Sequence, residues 1–339
     1  MATVRATLPA NLPPPPPSSP PARTPTATSP RHGKPLPTTP AEHAALQPSE
    51  AASLLTAASR ARDLRLGRAL HARLLRTGTL LESDSVVANS LLTLYSKCGA
   101  VAAARSVFDG MPDGLRDLVS WTAMASCLAR NGAEAEALRL FGDTIEAGLR
   151  PNAFTLCAAA QACFVSELFH SAGGAVLGLV FKMGFWGTDV SVGCALIDMF
   201  AKNGDLVAAR RVFDGLVERT VVWTLLITRY AQGSCADEAV ELFLDMLENG
   251  FRLDQYTMSS MLSACTELGS FRLGQQLHSL ALRLGLESDD CVSCGLVDMY
   301  AKSHIGQSMR NAREVFNRMP KHNVMSWTAL LSGYVQRGS

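Results

Sequence analysis

Pairs of short polar side chains recur in this sequence at a separation of roughly 30 residues. Thr122 is followed by Asn152, and Thr224 is followed by Asp254. Hydroxyl, amide and carboxylate groups donate or accept hydrogen bonds, but these pairs lack the adjacent base that would activate a nucleophile. The chemistry open to them is therefore recognition of a polar ligand. Pairs with similar spacing are Asn89 with Asp117, Ser259 with Asp289, Cys194 with Thr220, and Cys294 with Asn323.

A second interpretation of these residues stays open. Thr, Asn and Asp are also favoured at the first residues of helices, because their side-chain oxygens accept hydrogen bonds from backbone N–H groups that have no partner within the helix. The pairs therefore predict either a ligand contact or a helix cap at each position.

The polar pairs lie in a phrase that the chain repeats. "LVSWTAMASCLARNGAEAEALRLFGDTIEAGLRPN" spans 118–152, a similar phrase spans 220–254, and a third begins at 324. Trp121, Trp223 and Trp327 are 102 and 104 residues apart, and each such interval contains three units of 31 to 37 residues. A period in this range is typical of a solenoid.

Each repeat reads as two helices. In 118–152 a first helical segment ends near Asn131, and the second places Ala137, Leu140, Phe141 and Ile145 on one face. Such a face is buried only when neighbouring helix pairs stack on it. The sequence thus predicts an all-α fold, a right-handed superhelical solenoid of αα-hairpin repeats over 48–339, with eight repeats and a truncated ninth. Repeats 1 to 9 are 48–84, 85–117, 118–152, 153–189, 190–220, 220–254, 255–289, 290–323 and 324–339.

The first 40 residues differ from the repeats. They hold 13 of the 17 prolines and no Asp or Glu, with Arg5, Arg23, Arg31 and Lys34 as their charges. Proline disfavours helix, and a basic, Ser/Thr-rich, acid-free N-terminus is typical of an organelle transit peptide; a plain disordered tail is the alternative. We predict a disordered leader over 1–40 and a chloroplast location, with the mitochondrion as the alternative.

Bulk composition excludes several classes of protein. The net charge is +1 and charged residues make up 18%, so any polyanion must be held by local geometry. No segment is long and apolar enough to span a membrane. The nine scattered cysteines favour a reducing compartment over a disulfide framework. The sequence "CVSC" at 291–294 supplies two metal ligands of the four that a closed zinc site needs, so we predict no metal and no cofactor. Phosphate-binding, nucleophile-elbow and deaminase signatures are missing, which predicts no enzyme activity.

The repeats resemble those of plant pentatricopeptide repeat proteins. "VSWT" opens the first helix, "EALRLFGDTIEAGLRPN" closes the repeat, and long, short and standard repeats alternate as in the PLS subclass. The tetratricopeptide signature W-x₂-L-G-x₂-Y is missing, although a tetratricopeptide-like protein-interaction scaffold is the alternative. The chain stops within repeat 9 without the E or DYW-type domain of that subclass. We therefore expect a fragment or a truncated form of a longer RNA-editing factor.

The resemblance implies a function and a set of binding residues. It implies single-stranded organelle RNA as partner, recognised at about one base per repeat for processing such as C-to-U editing, together with editing-complex proteins in trans and no small-molecule substrate. The fifth and last residues of a repeat are expected to contact a base. Asn89 with Asp117 is similar to the uracil-type pair, Thr122 with Asn152 to the adenine-type pair, and Thr224 with Asp254 to the guanine-type pair. Weaker or undecoded candidates are Ser259 with Asp289, Cys194 with Thr220, Cys294 with Asn323, and Thr328.

Two further positions complete the predicted interface. The second residue of a repeat is expected to lie beside the base, at Val86, Val119 and Val221, where it would stack on the ring or act as a hydrophobic staple on its own helix. The thirteenth residue is a cation in five repeats, where it would contact phosphate or stabilise the helix dipole. These cations are Arg60, Lys97, Arg130, Lys202 and Lys302.

Overall fold

The computed structural model describes residues 46–78, 85–219, 221–303 and 305–337. They form two compact units that divide between Phe185 and Trp186. The described residues are helical with intervening turns and contain no strand. The prediction of an all-α fold is therefore confirmed. The leader predicted in residues 1–40 lies outside the described residues.

The N-terminal unit consists of helical hairpins that correspond to repeats 1 to 4. A π-helical turn, Phe169–Gly173, interrupts the second helix of repeat 4. The helices are α1 (Pro48–Ala61), α2 (Leu64–Arg76), α3 (Ser85–Lys97), α4 (Val101–Asp109), α5 (Leu118–Arg130), α6 (Glu134–Glu146), α7 (Ala153–Ala162), α8 (Ser166–Leu168) and α9 (Gly174–Lys182).

The C-terminal unit continues the same alternation of first and second helices. Its helices are α10 (Val190–Lys202), α11 (Leu206–Gly215), α12 (Val222–Gln232), α13 (Ala236–Glu248), α14 (Gln255–Glu267), α15 (Phe271–Leu284), α16 (Asp290–Lys302), α17 (Ser308–Arg318) and α18 (Val324–Gln336).

Within each unit the first helices of successive repeats pack against one another. In the N-terminal unit α1 packs on α3, α3 on α5, and α5 on α7; in the C-terminal unit the order is α10, α12, α14, α16 and α18. Close approach to the second helices needs small residues. A Cβ on Gly67 in α2 would lie 2.5 Å from Leu94 Cδ2, and one on Gly274, at the same repeat position in α15, would lie 2.6 Å from Met299 Sδ. Glycine at this position therefore sets the spacing of the helices.

The last residue of a repeat starts the first helix of the next one. Its side chain accepts a hydrogen bond from a backbone N–H of the first helical turn, which stabilises a helix by about 1 kcal/mol. The capping interpretation of these residues is thus confirmed for six repeats. The capping residues are Asp117, Asn152, Asp189, Asp254, Asp289 and Asn323.

The long period of the aromatic residues has a direct structural cause. Phe213, near the end of the second helix of repeat 5, packs edge-on against Trp223 in the first helix of repeat 6, with ring centroids 4.6 Å apart. The same contact joins Phe108 to Trp121 at 5.2 Å and Phe316 to Trp327 at 4.7 Å. Each standard repeat is therefore locked to the short repeat before it by one aromatic pair.

Two histidines of the long repeats make the same contact with the next repeat. His71 Nδ1 lies 2.8 Å from the Tyr95 hydroxyl, and His278 Nδ1 lies 2.8 Å from the Tyr300 hydroxyl. Both pairs connect a second helix to the following first helix, as expected of packing residues. At the corresponding positions repeats 4 and 5 carry Leu177 and Phe200, since the π-helical turn adds one residue before Leu177. Apolar residues therefore also occur at these repeat positions.

The histidine pairs predict a pH dependence of stability. Burial lowers the pKa of both His71 and His278 below the ordinary value of 6.5. The unfolded chain therefore binds more protons than the folded chain as the pH falls below about 6.5, and the free energy of unfolding decreases in that range. A variant that carries Leu–Phe at both His–Tyr pairs is expected to lose less stability than the wild type between about pH 7.5 and pH 5.5. Urea denaturation at each pH checks this, and parallel losses in the two proteins would contradict it.

Candidate nucleic-acid interface

The fifth and last residues of repeat 2 lie in hydrogen-bonding contact. Asn89 Nδ2 donates to Asp117 Oδ1 over 3.3 Å, and Ser85 Oγ donates to Asp117 Oδ2 over 2.7 Å. Burial raises the pKa of Asp117, but hydrogen bonds from Ser85, Ser120 and Asn89 outweigh it, so that this pKa lies below its ordinary value. The carboxylate is therefore charged at neutral pH. Among the described residues, the buried Asn89 Oδ1 has no hydrogen-bond partner.

Repeats 3 and 6 share one arrangement that the sequence did not reveal. Thr122 Oγ1 lies 2.8 Å from Thr155 Oγ1, which donates to Asn152 Oδ1 over 3.0 Å. Thr224 Oγ1 likewise lies 2.8 Å from Thr257 Oγ1. A buried threonine of the next repeat thus joins the fifth residue to the last one. The capping-box spacing N-x-x-T at 152–155 was the signal that could have identified it.

The two last residues are left with different hydrogen-bonding groups. Asn152 uses its Oδ1 to cap α7, which leaves the Nδ2 donor directed away from the cap. Asp254 caps α14 with Oδ1, while its Oδ2 accepts from Thr224 over 3.3 Å. The group that the cap leaves unused is therefore an amide donor in Asn152 and a carboxylate acceptor in Asp254.

The remaining predicted pairs differ from these. Within the described residues Ser259 makes no hydrogen bond to Asp289, whose Oδ1 accepts from the backbone of Cys291 and Val292. Cys294 Sγ lies 3.4 Å from Asn323 Oδ1. The exposed Thr328 donates to the Val324 carbonyl.

The pairing of Cys194 with Thr220 depends on a boundary that the backbone shifts by one residue. Thr220 itself lies outside the described residues. The Trp223 N–H donates to the Arg219 carbonyl, as the Trp121 N–H does to Asp117 and the Trp327 N–H does to Asn323. Arg219 therefore occupies the last position of repeat 5, and repeat 6 does not share its first residue with repeat 5.

The second residues of the repeats are exposed rather than packed on their own helices. Val86, Val119 and Val221 are all exposed, which disfavours the hydrophobic-staple alternative, because a staple buries its side chain. The structure adds two aromatic residues at the same position of long repeats, Phe154 and Tyr256, which are 73% and 61% exposed. The sequence search missed them because it applied this position to the short and standard repeats alone. Met325 of repeat 9 is also exposed.

A cavity of about 240 Å³ brings the predicted positions together in the N-terminal unit. It opens between α5 and α7, the first helices of repeats 3 and 4. Thr122 and Asn152 line it, Val119 and Phe154 stand on either side, and Arg130 lies at its edge. Polar recognition groups, two exposed apolar side chains and one cation thus surround a single open space. Further lining residues are Ala123, Ser126, Cys157, Ala158 and Gln161.

The five predicted cations are all exposed at the ends of first helices. Lys302 Nζ, however, lies 2.8 Å from Asp298 Oδ2, so this cation already has an anionic partner. In repeat 6 the thirteenth residue is Gln232, and its Oε1 accepts from Arg229 Nη1 over 2.7 Å. Arg229 also donates to Asp198 over 2.7 Å. Repeat 6 therefore has no cation at its thirteenth position, but the Arg229 guanidinium lies one helical turn before it in α12.

The cysteines of the interface are neutral thiols. Burial raises the pKa of Cys194 and of Cys294 above the ordinary value of 9.0. Among the described residues, no group of three or more His, Cys, Asp or Glu side chains could hold a metal ion. No helix in the described ranges is long and apolar enough to cross a membrane.

Comparison with known proteins agrees with this architecture. The model of the PPR repeat family matches residues 218–267, and the model of the PPR repeat matches 86–113, 119–149 and 194–220. A chloroplastic pentatricopeptide repeat-containing protein of Arabidopsis thaliana is 48% identical over 287 residues, which are 84% of this chain and 33% of that protein. A mitochondrial one is 36% identical over 273 residues, covering 80% of this chain and 42% of that protein. The chain thus spans about a third to two fifths of the length of these relatives.

A solved structure supports the fold. The fold is similar to the crystal structure of the pentatricopeptide repeat protein PPR10 in complex with an 18-nucleotide psaJ RNA element. The superposition includes 80% of this chain and 40% of the PPR10 chain, with a TM-score of 0.61 and 16% sequence identity. The repeat models thus match 86–113, 119–149, 194–220 and 218–267, the chain is similar to pentatricopeptide repeat-containing proteins over most of its length, and the solved structure shares its fold.

Proposed function

We propose that this protein binds single-stranded RNA in a sequence-selective manner, at about one base per repeat, as the address module of organelle RNA processing. The observation that carries the proposal is the cavity between α5 and α7. Its polar pair can meet the edge of a base, while Val119 and Phe154 can contact the two faces of the ring. Arg130 can contact the adjoining phosphate.

The polar groups support different base preferences at different repeats. In repeat 3 the Asn152 amide group can donate a hydrogen bond, because only its Oδ1 is used by the cap, whereas in repeat 6 Asp254 offers only acceptors. Together with the adenine-type and guanine-type resemblance of these pairs, and the uracil-type pair of repeat 2, this favours the RNA sequence 5′-UAxxG-3′. Repeats 4 and 5, whose fifth residues are Cys157 and Cys194, would contact the two bases written x, for which no preference is assigned.

The proposed setting is an organelle, with the chloroplast favoured over the mitochondrion. The relative with 48% identity is chloroplastic by name, and other relatives are chloroplastic or mitochondrial. PPR10, which shares the fold, is solved with bound RNA. Recognition of C-to-U editing sites is the finer proposal, in which the modifying chemistry comes from editing-complex proteins in trans.

A selection from random RNA tests the proposal directly. The full chain is expected to enrich RNAs that contain 5′-UAxxG-3′, because three repeats carry decodable pairs. A pool of unlabelled peptides is included as competitor. The proposal would be overturned if no RNA motif were enriched. It would also be overturned, in favour of a peptide-binding scaffold, if unlabelled peptides displaced the bound RNA at a lower concentration than unlabelled RNA does.

A lysine substitution separates phosphate contact from base reading. Lys97→Ala removes an exposed cation at the end of α3 without touching a base-reading pair. We expect affinity to fall alike for all RNA sequences and the log–log salt dependence to flatten by about 0.7, the value for one phosphate contact on a single strand. Fluorescence anisotropy across a salt series measures this. Lys182→Ala, which removes an exposed lysine from a second helix, is the control; equal effects of both variants would contradict the assignment.

A further inference from the structure

The first repeat carries a concentration of positive charge that no other repeat shows. Residues 48–78 contain six arginines against Glu50 and Asp63, a net charge of +4, whereas residues 79–339 have a net charge of −6. The arginines bracket the turn between α1 and α2 and continue along α2. They are Arg60, Arg62, Arg65, Arg68, Arg73 and Arg76.

Three of these arginines form an exposed patch at the α1–α2 turn, here called the turn patch: Arg62, Arg65 and Arg68. Within the described residues none of them lies within 4.0 Å of a carboxylate, whereas some arginines of later repeats form ion pairs, such as Arg105 with Glu136 and Arg229 with Asp198. The turn patch therefore presents guanidinium groups that can bind an external anion.

Repeat 7 shows that the fold does not require four of these six charges. It is the same type of long repeat, with the same helices, the same glycine contact and the same His–Tyr pair. At the positions of Arg60, Arg62, Arg68 and Arg73 it carries Glu267, Gly269, Gln275 and Leu280, whereas Arg65 and Arg76 are matched by Arg272 and Arg283. A glutamate at the end of α14 opposes the helix dipole, and that helix forms nonetheless. Stabilisation of the helix end is thus no sufficient reason for the arginines.

Arg62 is retained at a position where the backbone favours glycine. Its φ is 53°, in the left-handed region; the equivalent residues Gly99, Gly132, Gly204 and Gly269 have φ of 70°, 80°, 81° and 61°, and Ser234 in repeat 6 has φ of 56°. The turn hydrogen bonds of repeats 1 and 7 are the same. A side chain costs conformational energy there, because its Cβ crowds the following carbonyl. The left-handed turn itself therefore gives no reason for an arginine at this position, and the reason must lie in what the guanidinium contacts.

We infer that the turn patch binds the phosphates of RNA that flanks the recognised segment on the side of repeat 1. The inference rests on the proposed RNA binding and extends it beyond the groove. RNA is favoured over other polyanions because the patch is continuous with Arg60, the cation that repeat 1 contributes to the proposed phosphate contacts. With the RNA running 5′ to 3′ along the repeats, the flanking nucleotides lie 5′ of the recognised segment.

An RNA extension series tests this inference with the full chain. The probes are an RNA with the recognised segment alone and the same RNA extended at its 5′ or its 3′ end by about six abasic nucleotides, which carry phosphates but no bases. We expect the 5′ extension alone to tighten binding and to steepen the log–log salt slope by about 2, from three contacts of about 0.7 each.

A triple substitution and a matched control locate the effect. Arg62→Gly, Arg65→Gln and Arg68→Gln together are expected to abolish the gain from the extension and to leave the unextended RNA bound as in the wild type. Arg62→Gly restores the residue preferred at this turn, so folding is preserved. The control, Arg139→Gln with Arg211→Gln and Arg313→Gln, removes the same charge from exposed positions of second helices and is expected to retain the gain.

Failure of the inference is distinguishable from failure of the proposed function. A wild type that binds the unextended RNA but gains nothing from either extension overturns the inference alone, as does an equal loss of the gain in both triple variants. A wild type that binds no RNA overturns both. A separate experiment measures binding of the protein to phosphatidylglycerol vesicles. If the wild type binds the vesicles, the turn-patch variant does not, and neither RNA extension tightens binding, the patch is assigned to an anionic lipid surface instead.

Discussion

Replacing Trp223 by alanine is expected to lower the free energy of unfolding by about 3–5 kcal/mol, the range for a large aromatic side chain deleted from a packed core. Trp223 is 4% exposed and contacts two aromatic rings, Phe213 at 4.6 Å and Phe251 at 5.7 Å. Its substitution opens a cavity between the first helix of repeat 6, the preceding short repeat and the closing loop of its own repeat. Urea denaturation followed by far-ultraviolet circular dichroism measures the loss.

Two further substitutions test the physical reason. Trp223→Phe keeps the aromatic contact and removes the indole N–H, which is buried without a hydrogen-bond partner among the described residues, so its cost is expected to stay below about 1.5 kcal/mol. Trp327→Ala changes the same position of repeat 9, where the side chain is 49% exposed although it contacts Phe316. It is expected to cost no more than about 1–2 kcal/mol. Equal losses at Trp223 and Trp327 would show that burial does not explain the effect.

Changing Asn152 to aspartate is expected to move the base preference of repeat 3 from adenine towards guanine. The substitution replaces the free Nδ2 donor by a second acceptor oxygen and keeps the Oδ1 that caps α7. Asn and Asp are equally good caps, so stability is expected to stay within a few tenths of a kcal/mol. The change in discrimination is expected to be about 1–3 kcal/mol and confined to one base of the selected RNA. Parallel selections from random RNA with both proteins measure it.

The control for Asn152→Asp is the same chemical change outside the interface. Asn249 caps the end of α13 through a hydrogen bond from its Nδ2 to the Asp245 carbonyl, away from the first helices. Asn249→Asp is expected to leave the selected RNA sequence unchanged. If Asn152→Asp and the wild type enrich the same sequence, Thr122 and Asn152 act as capping residues alone, and the address-module proposal loses its main support.

The repeats themselves were predictable because their signals are local. The apolar face of the second helices and the polar residue before each first helix depend on residues within one or two turns of one another. The period of Trp121, Trp223 and Trp327 shows that the same local signals recur along the chain. Each of these signals corresponds to helices, aromatic contacts or caps in the structure. The candidate site was predictable to the same extent, since its positions are defined by their register within a repeat.

Other features depend on what a neighbouring helix covers. The sequence places Trp223 and Trp327 at one repeat position, yet one is buried and the other half exposed, because Phe251 covers Trp223 in its own repeat. The one-residue shift from Thr220 to Arg219 became visible only through the backbone hydrogen bond to Trp223. The ion pair of Lys302 with Asp298 was likewise not apparent from the sequence, where Lys302 was recognised only as the cation at the thirteenth position of its repeat.

The sequence by itself determined the all-α fold and the polar residue that caps the first helix of the next repeat; the base-contacting role of the polar pairs stays a prediction. Tertiary structure decided which groups remain open to a ligand. Thr155 links Thr122 to Asn152, Phe154 faces the same cavity, and Arg62 keeps a strained turn in an unpaired basic patch. Hydrogen-bond capacity and solvent exposure are shared between helices of different repeats, so they follow from packing across some 30 residues of sequence rather than from the residue types alone.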